Sequence, residues 1–242
     1  MCFSPAARAD APAASDAFTP AQRAEIVRIV RDALRTDPSI LGDAITALRA
    51  SEQKRDQDES AAAVNDNRAA IDGQPGDAVL GNPRGDVTVT EFYDPRCPYC
   101  RKVLPDLDKL LAADHGVRLV EKLIPILGPN SVLDAQAIQA ASLQNRYAAM
   151  QAALMGDSGA PGLDRIRAAA TRLGLDVPRL VADMKSPAVT AVLERNVALA
   201  RTIHLSGTPT FVIGNTVIPG AVDADEIRRA VAARRGAGRN AG

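Results

Sequence analysis

Two cysteines separated by two residues constrain this chain more than any other feature: residues 97–100 read Cys-Pro-Tyr-Cys. They follow a run rich in β-branched side chains, residues 87–93, which predicts a strand. They open a second run, residues 101–111, with the apolar spacing of a helix. Two thiols at a strand-to-helix junction can close to a disulfide and reopen, which is the chemistry of thiol–disulfide exchange. The motif therefore predicts a redox-active pair within an α/β fold.

The competing interpretation of these cysteines is half of a structural zinc site. Such a site needs four ligands. The only other cysteine or histidine residues are Cys2, His115 and His204, whose spacing is not typical of a metal site. A redox pair is therefore favoured over zinc. Two thiolates also suit Cu(I), so copper binding by Cys97 and Cys100 stays open, although no Met-rich or His-rich tract indicates dedicated transport.

Composition argues against two other classes of function. The 242 residues carry 29 Lys and Arg against 29 Asp and Glu, so no net basic charge attracts nucleic acid. Aromatic residues make up 3% of the chain, which disfavours base stacking. No apolar run approaches the roughly 18 residues that a membrane-spanning helix requires. We therefore expect neither a nucleic-acid partner nor membrane insertion.

Residues 1–18 are predicted to be disordered or to be the remnant of a secretory signal peptide. The run Ala7–Ala9 followed by Asp10 has the small-residue pattern that precedes a signal cleavage site. Cleavage there removes Cys2 and leaves a single cysteine pair, without a disulfide framework. This interpretation predicts a mature protein that works in an oxidising compartment.

Residues 19–70 are predicted to form helices with an apolar stripe and no sheet. Thr19 and Pro20 match an N-cap and a first helical position. A segment of this size buries little core alone, and the polar run 51–60 separates its stripe from the rest of the chain. Self-association through the stripe is the favoured prediction, and packing against the rest of the same chain is the alternative.

A second domain is predicted at residues 86–236, after a Gly- and Pro-rich linker at 71–85. Its order is strand, helix, strand, a block of helices at about 128–205, a hairpin, and a last helix. Residues 237–242 are expected to be a disordered tail.

This order and several short motifs resemble the DsbA-like branch of the thioredoxin fold. The matching segments are residues 91–93, the Cys-Pro-Tyr-Cys run, residues 123–128 and residues 207–211. The N-terminal helices are similar to those of ScsC, the suppressor-of-copper-sensitivity disulfide isomerases, some of which form trimers through them. The fold class is thus expected to be a thioredoxin fold with an inserted helical block, preceded by an oligomerisation segment.

The resemblance implies a periplasmic disulfide isomerase, possessing no cofactor other than a redox-active Cys97–Cys100 disulfide. It implies misoxidised secreted proteins as substrates, a membrane thiol reductant of the DsbD or ScsB type as a partner, and a homo-oligomer that is a trimer in some relatives. A monomeric DsbA-like oxidase and a Cu(I)-binding copper-tolerance protein are the alternatives.

The two cysteines are expected to have different roles. Cys97 falls at the predicted helix N-terminus, where the helix dipole favours a thiolate, so we expect it to be an exposed nucleophile. Cys100, one turn later, is expected to resolve the mixed disulfide. Pro98 suits the first helical turn, and Tyr99 is expected to shape the surroundings of the thiolate.

Glu91 is a second catalytic candidate. It lies on a strand expected to be buried on both faces, where a carboxylate is costly unless paired or protonated. Lys122, in the neighbouring apolar run, is its expected partner. We hypothesise that Glu91 relays a proton to and from Cys100, and a structural ion pair is the alternative.

The resemblance also implies a cis-proline loop at Thr208-Pro209 that faces the cysteine pair and binds the substrate backbone. A threonine before the proline is more similar to isomerases than to strong oxidases. Pro98, Tyr99, Thr208 and Pro209 are therefore the predicted substrate contacts.

Overall fold

The computed structural model describes residues 18–239 and contains a five-stranded mixed sheet. In the described part of the chain the strands are β1 Ala78–Gly81, β2 Val87–Tyr93, β3 Val117–Leu123, β4 Thr210–Ile213 and β5 Thr216–Pro219. Their order across the sheet is β1-β3-β2-β4-β5. β2 and β3 are parallel, and the other neighbouring pairs are antiparallel.

The described residues also form ten helices. They are α1 Pro20–Thr36, α2 Ser39–Asp66, α3 Arg68–Ile71, α4 Pro98–Ala113, α5 Pro129–Ser142, α6 Tyr147–Gly156, α7 Leu163–Arg172, α8 Val177–Asp183, α9 Pro187–Thr202 and α10 Ala224–Arg239. The five helices α5–α9 stand between β3 and β4, where the sequence predicts a helical block. The thioredoxin-like order with an inserted helical domain is confirmed.

Alternation along β2 and β3 divides their side chains between two cores. On one face, Val87 and Val89 pack with apolar residues of α4 and α10, such as Leu107 and Ile227. On the other face, Phe92 joins a cluster built from α3, α9, β4 and the end of α2. Both strands are nearly fully buried because helices cover both faces, as expected for parallel strands.

A third core lies inside the helical insertion and reaches the cysteines. It is lined by small alanines of α5 and α7 and by larger residues of α6 such as Met150 and Leu154. Tyr93, Cys97 and Cys100 belong to the same cluster. The insertion therefore packs directly behind the motif.

Two boundaries differ from the sequence prediction. The predicted linker 71–85 contains β1, which pairs antiparallel with β3 and places Ala78 opposite Glu121. This strand is only four residues long and is flanked by Gly and Pro, so its sequence shows no alternation of apolar and polar residues. It is recognised as a strand only by its pairing with β3. At the other end α10 continues to Arg239, so residues 237–239 of the predicted disordered tail are helical. The predicted signal remnant lies almost entirely outside the described residues.

The chain divides into two compact units within α2; the first ends at Asp56 and the second begins at Gln57. In the first unit, Thr19 caps α1 through a reciprocal capping box with Gln22. α1 buries none of its residues. Large apolar side chains of α1 and α2 are between 39% and 56% exposed; they are Ile26, Val27, Ile29, Val30, Leu34, Ile40, Leu41, Ile45 and Leu48. We call this set the N-terminal apolar stripe.

Within residues 18–239, none of the helices combines the length and apolar character needed to cross a membrane.

Candidate active site

The two cysteines occupy the first turn of α4. Cys97 is the N-cap residue with extended backbone angles, and Pro98 takes the first helical position. Proline suits that position because its missing N–H has no partner there in any case. Both thiols are free. The structure therefore has the local arrangement that the sequence predicts. Two sulfurs lie one helical turn apart at a strand-to-helix junction.

Cys97 is not the exposed nucleophile that the sequence predicts. Its residue surface is only 4% exposed, because it packs within the cluster formed with the helical insertion. Its Sγ donates to the carbonyl oxygen of Thr208 at 3.3 Å. Tyr99, by contrast, is 62% exposed. A substrate therefore meets the tyrosine ring at the surface and a largely covered sulfur beside it.

The loop before β4 faces the motif, as the resemblance implies. The Thr208–Pro209 peptide bond is cis. The carbonyl oxygen of Pro209 accepts from the N–H of Gly220 at 2.8 Å, and the Thr210 hydroxyl donates to Gly207 at 2.8 Å. These bonds hold the Thr208 carbonyl against Cys97. A substrate contact at this loop stays a prediction.

Cys100 lies deeper, with 1% of its surface exposed. Burial raises the pKa of its thiol strongly, and the nearby Glu91 carboxyl raises that pKa further. The Cys100 thiol is therefore protonated over the ordinary pH range. To attack a disulfide it must lose this proton to a base, because the thiolate is the reacting species.

Glu91 is buried as predicted, but its partner is not Lys122. The parallel pairing of β2 and β3 places Glu91 opposite Glu121 and Phe92 opposite Lys122. Residues one position apart on a strand point to opposite faces. Lys122 therefore lies on the other side of the sheet from Glu91, and the predicted Glu91–Lys122 ion pair is wrong.

Two buried carboxyl groups thus face each other beneath the cysteines. Glu91 and Glu121 are 2% and 1% exposed. Burial, followed by the charges of Glu121 and Cys97, raises the pKa of Glu91 well above its usual range. Burial raises the pKa of Glu121 to about 8, even though Gln151 and Glu91 act to lower it. Near neutral pH, at least part of this pair is protonated.

Lys122 instead forms a buried ion pair with Asp77. The lysine and aspartate side chains are 0% and 1% exposed. The ammonium also donates to the carbonyl oxygen of Ala70 at 2.7 Å, and Arg195 reaches the second oxygen of Asp77 at 3.1 Å. Lys122 therefore ties β3 to the segment before β1 and is a structural residue rather than a partner of the dithiol.

Asp94 is a site residue that sequence reasoning missed. It is fully buried and accepts four hydrogen bonds, from the N–H groups of Arg96, Ile126 and Leu127 and from the Ser131 hydroxyl, at 2.7 to 3.0 Å. The carboxylate thereby joins the turn before Cys97 to the loop that enters α5. The available signal was an acidic residue directly between the strand and the motif.

Basic residues around the motif are engaged away from the sulfurs. Arg96 donates to the buried Asp134 at 3.1 Å, and Arg165 reaches the same carboxylate at 3.3 Å. Arg101 donates to backbone carbonyls, including that of Pro95 at 3.1 Å. These contacts anchor the helical insertion to the active-site turn.

Copper binding is not tested by these contacts. Among residues 18–239, no group of three or more His, Cys, Asp or Glu side chains could hold a metal ion. Two-coordinate Cu(I) at Cys97 and Cys100 needs no third ligand and stays a prediction. Copper titration of the reduced protein and of its C97S variant tests it.

The geometry defines a class of protein. A dithiol at the start of a helix on a thioredoxin-like sheet, faced by a proline loop and underlain by a buried acid, is the arrangement of a thiol–disulfide oxidoreductase. Residues 88–232 match the DSBA-like thioredoxin domain. The chain belongs to this family, and residues 22–55 match the N-terminal domain of the copper resistance protein ScsC.

Solved structures support the same assignment. A thioredoxin-like oxidoreductase from Silicibacter pomeroyi DSS-3 is 42% identical and has a TM-score of 0.68, with 70% of this chain and 98% of that chain covered. The ScsC protein of Proteus mirabilis, in a transitional conformation, is 28% identical with a TM-score of 0.64, and 91% of this chain and 98% of that chain are covered. The second likeness extends over the N-terminal helices.

A curated relative is matched over only a small part of its own length. The Na(+)/H(+) antiporter NhaA of Herminiimonas arsenicoxydans is 30% identical over 162 residues, which are 66% of this chain and 26% of that protein. The chain therefore spans about a quarter of the length of this relative. The shared part is the size of one domain.

Proposed function

We propose that this protein is a periplasmic disulfide isomerase whose redox-active pair is Cys97 and Cys100. The oxidoreductase class follows from the family and the fold. The direction of exchange, the compartment and the oligomeric state are the proposed part. The observation that carries the proposal is the N-terminal apolar stripe.

The reaction begins with the dithiol form. The Cys97 thiolate attacks one sulfur of a wrong substrate disulfide, a new S–S bond forms, and the other substrate sulfur leaves as a thiolate. That thiolate can attack a different substrate disulfide and finally displace Cys97. The number of disulfides is then unchanged, as isomerisation requires.

Cys100 provides a second exit from the mixed disulfide. It transfers its proton to a base and attacks Cys97 Sγ, which breaks the bond to the substrate. The substrate leaves as a dithiol and the protein keeps the disulfide, so two electrons pass to the substrate. A dithiol reductant must then return the pair to its reduced form. We propose a membrane thiol reductant of the DsbD or ScsB type for this role.

The stripe argues for several such sites in one assembly. Nine large apolar side chains at 39–56% exposure on two helices make an apolar surface of the kind that marks an interaction site. Self-association of the helices would cover it. Several copies of the dithiol joined in this way raise its effective concentration around one misoxidised client, which favours repeated exchange over a single oxidation event.

The similarities support this assignment of the N-terminal helices. The match to the ScsC N-terminal domain covers residues 22–55 and therefore all nine residues of the stripe. The similarity to Proteus mirabilis ScsC also extends over 91% of this chain. Misoxidised secreted proteins are the proposed substrates.

Light scattering on single-residue variants tests the oligomer. Val30 lies within the stripe, whereas Ala21, nine residues earlier on α1, lies on the opposite side of the same helix. We expect a homo-oligomer for the wild-type protein and for A21E, and monomers for V30E. A monomeric wild-type protein contradicts the proposal.

Refolding of ribonuclease tests the direction of exchange. We expect the reduced wild-type protein to reactivate scrambled ribonuclease, and we expect V30E to lose most of that activity while still reacting with a small disulfide. A protein that oxidises reduced ribonuclease but leaves scrambled ribonuclease inactive is instead a DsbA-like oxidase.

A further inference from the structure

The paired carboxyl groups of Glu91 and Glu121 are the strongest feature that the exchange mechanism above leaves unexplained. They are directly opposite in the β2–β3 pairing and therefore share the face beneath α4. The two carboxyl groups can form a hydrogen bond with each other only when one of them is protonated, because two carboxylates are both acceptors. Within the described residues, no donor hydrogen-bonds to either oxygen of Glu121.

The surroundings of the pair are neutral or acidic. Phe211 flanks Glu91 on the β4 side. The hydroxyl groups of Tyr93 on β2 and Tyr147 on α6 lie near the two carboxyl groups and are 2.7 Å from each other. Gln151, also on α6, lies near Glu121. From α4 come the two cysteine thiols and Asp108, whose negative charge opposes ionisation of Glu121. Among the described residues, no cation is one of the main groups that shift the pKa of Glu91 or Glu121. Lys122, next to Glu121 on β3, is bonded to Asp77 on the other face.

This environment favours a single negative charge on the pair. Two adjacent carboxylates in a poorly solvated site repel each other strongly, so the second ionises only at much higher pH. Two neutral acids, in turn, provide no base. A carboxylate that accepts a hydrogen bond from a neighbouring carboxylic acid is stabilised by a short, charge-assisted bond. The half-protonated form therefore spans a wide pH range.

We propose that Glu91 and Glu121 hold one proton between them and act as one acid–base unit for Cys100. Glu91 is the member that exchanges the proton with the thiol. Glu121 is a positioning residue, whose carboxylate takes up the shared proton as Glu91 accepts the one from Cys100. This proposal deepens the dithiol mechanism proposed above and rests on it.

The step is balanced without any further reactant. In the mixed disulfide the Cys100 S–H bond breaks and its proton joins the half-protonated pair, which becomes neutral. The charge now sits on the Cys100 sulfur, which forms a bond to Cys97 Sγ as the Cys97–substrate bond breaks. The departing substrate sulfur carries the negative charge away. When the Cys97–Cys100 disulfide is later reduced, the proton returns from the carboxyl groups to Cys100.

A single-turnover experiment isolates this step. Cys97 is loaded as the mixed disulfide with glutathione, and glutathione release is followed by acid quench and mass spectrometry between pH 5 and pH 9. The variants are E91Q, E121Q and, as the matched control, E194Q, which removes the same charge from an exposed position on α9. Circular dichroism at each pH shows that the variants are folded.

We expect E91Q to slow release by about 100-fold, in the range of general acid–base catalysis. We expect E121Q to slow it about tenfold at pH 7 and to move the pH profile by about one unit, because Glu91 then titrates alone. E194Q should follow the wild-type profile. If the E121Q and wild-type profiles coincide while E91Q is slow, Glu121 has a purely structural role and the proposal is wrong.

Infrared spectroscopy counts the proton directly. With carbon-13-labelled glutamate, the wild-type protein should show one protonated carboxyl group at neutral pH, and the E91Q/E121Q double variant should show none. Zero or two protonated groups in the wild type contradict the proposal. Failure of the dithiol mechanism has a different signature: the wild-type mixed disulfide is not resolved at any pH, whereas the infrared count still decides whether the pair shares a proton.

Discussion

The Cys97 thiol donates a hydrogen bond to the carbonyl oxygen of Thr208, with 3.3 Å between sulfur and oxygen. The bond joins the first turn of α4 to the loop before β4, and the two residues are 111 positions apart in the chain. A sulfur that already sits against the proline loop needs little movement to meet a substrate strand bound there. The contact therefore supports the proposal that Cys97, rather than Cys100, is the sulfur that attacks the substrate.

Replacing each cysteine with serine should separate the two roles. C97S should lose at least 99% of exchange at the active site with a small disulfide, because the remaining active-site cysteine, Cys100, is 1% exposed and burial keeps its thiol protonated. C100S should still attack but should accumulate the mixed disulfide, since the resolving thiol is missing. Mass spectrometry without reductant measures the adducts. An adduct on Cys100 in the C97S protein would reverse the assignment.

The sequence was sufficient for the reactive pair and for every part of the topology except β1, because these depend on local signals. The strand before the motif, the proline after Cys97 and the apolar helices of the insertion each follow from short patterns that the structure reproduces. The N-terminal stripe was also readable from its helical spacing. What the patterns did not contain was the register between β2 and β3, which is set by pairing over the whole sheet.

That register explains the wrong partner for Glu91. A shift of one residue exchanges the two faces of a strand, so Glu121 rather than Lys122 lies beside Glu91. The role of Asp94 was hidden for a related reason. Its donors Ile126, Leu127 and Ser131 come from a loop and a helix that meet the turn only in three dimensions. The partners of a buried charge are a tertiary property.

The Lys122–Asp77 pair should be a large contributor to stability. Removing one member of a buried pair leaves the other charge uncompensated, which typically costs about 3–5 kcal/mol. We expect K122M to lower the free energy of unfolding by about 3 kcal/mol, at the low end because Arg195 still reaches Asp77. Urea denaturation followed by circular dichroism measures the change.

Lys109 offers the matched control for that measurement. It pairs with Asp106 at 2.9 Å, but its side chain is 72% exposed, and exposed ion pairs contribute only about 0–1 kcal/mol. K109M should therefore unfold within about 0.5 kcal/mol of the wild type. Equal losses in K122M and K109M would contradict a structural role for the buried pair.

Asp94 should be sensitive to a change of a single atom. In D94N the new amide group faces either the N–H groups of Ile126 and Leu127 or the Arg96 N–H and the Ser131 hydroxyl, so at least one buried donor loses its acceptor. An unsatisfied buried donor costs about 1–3 kcal/mol, and we expect a loss of about 2–3 kcal/mol. Thermal unfolding measures it, with D164N as the control because the Asp164 side chain is 98% exposed. A wild-type melting temperature in D94N would show that the four hydrogen bonds contribute little.

Glu121 should make stability fall as the pH rises. Its pKa is about 8 in the folded protein against an ordinary value of 4.5. Between these values the folded state binds more protons than the unfolded state, so the stability associated with this group is complete below about pH 4.5 and is lost as the pH rises through 8. Glutamine does not titrate. We therefore expect E121Q to match the wild type near pH 5 and to be more stable by on the order of 3 kcal/mol at pH 8.

Urea unfolding at a fixed protein concentration, repeated from pH 5 to pH 9, measures this difference. The exposed variant E194Q should keep the wild-type pH dependence, which separates the effect of the buried site from a general change in net charge. Parallel stability curves for E121Q and the wild type would mean that Glu121 is already ionised in the folded protein at neutral pH. That outcome would place the remaining proton on Glu91 alone and would contradict a proton held by both carboxyl groups. The stability curve and the rate of glutathione release therefore test the same proton by independent measurements.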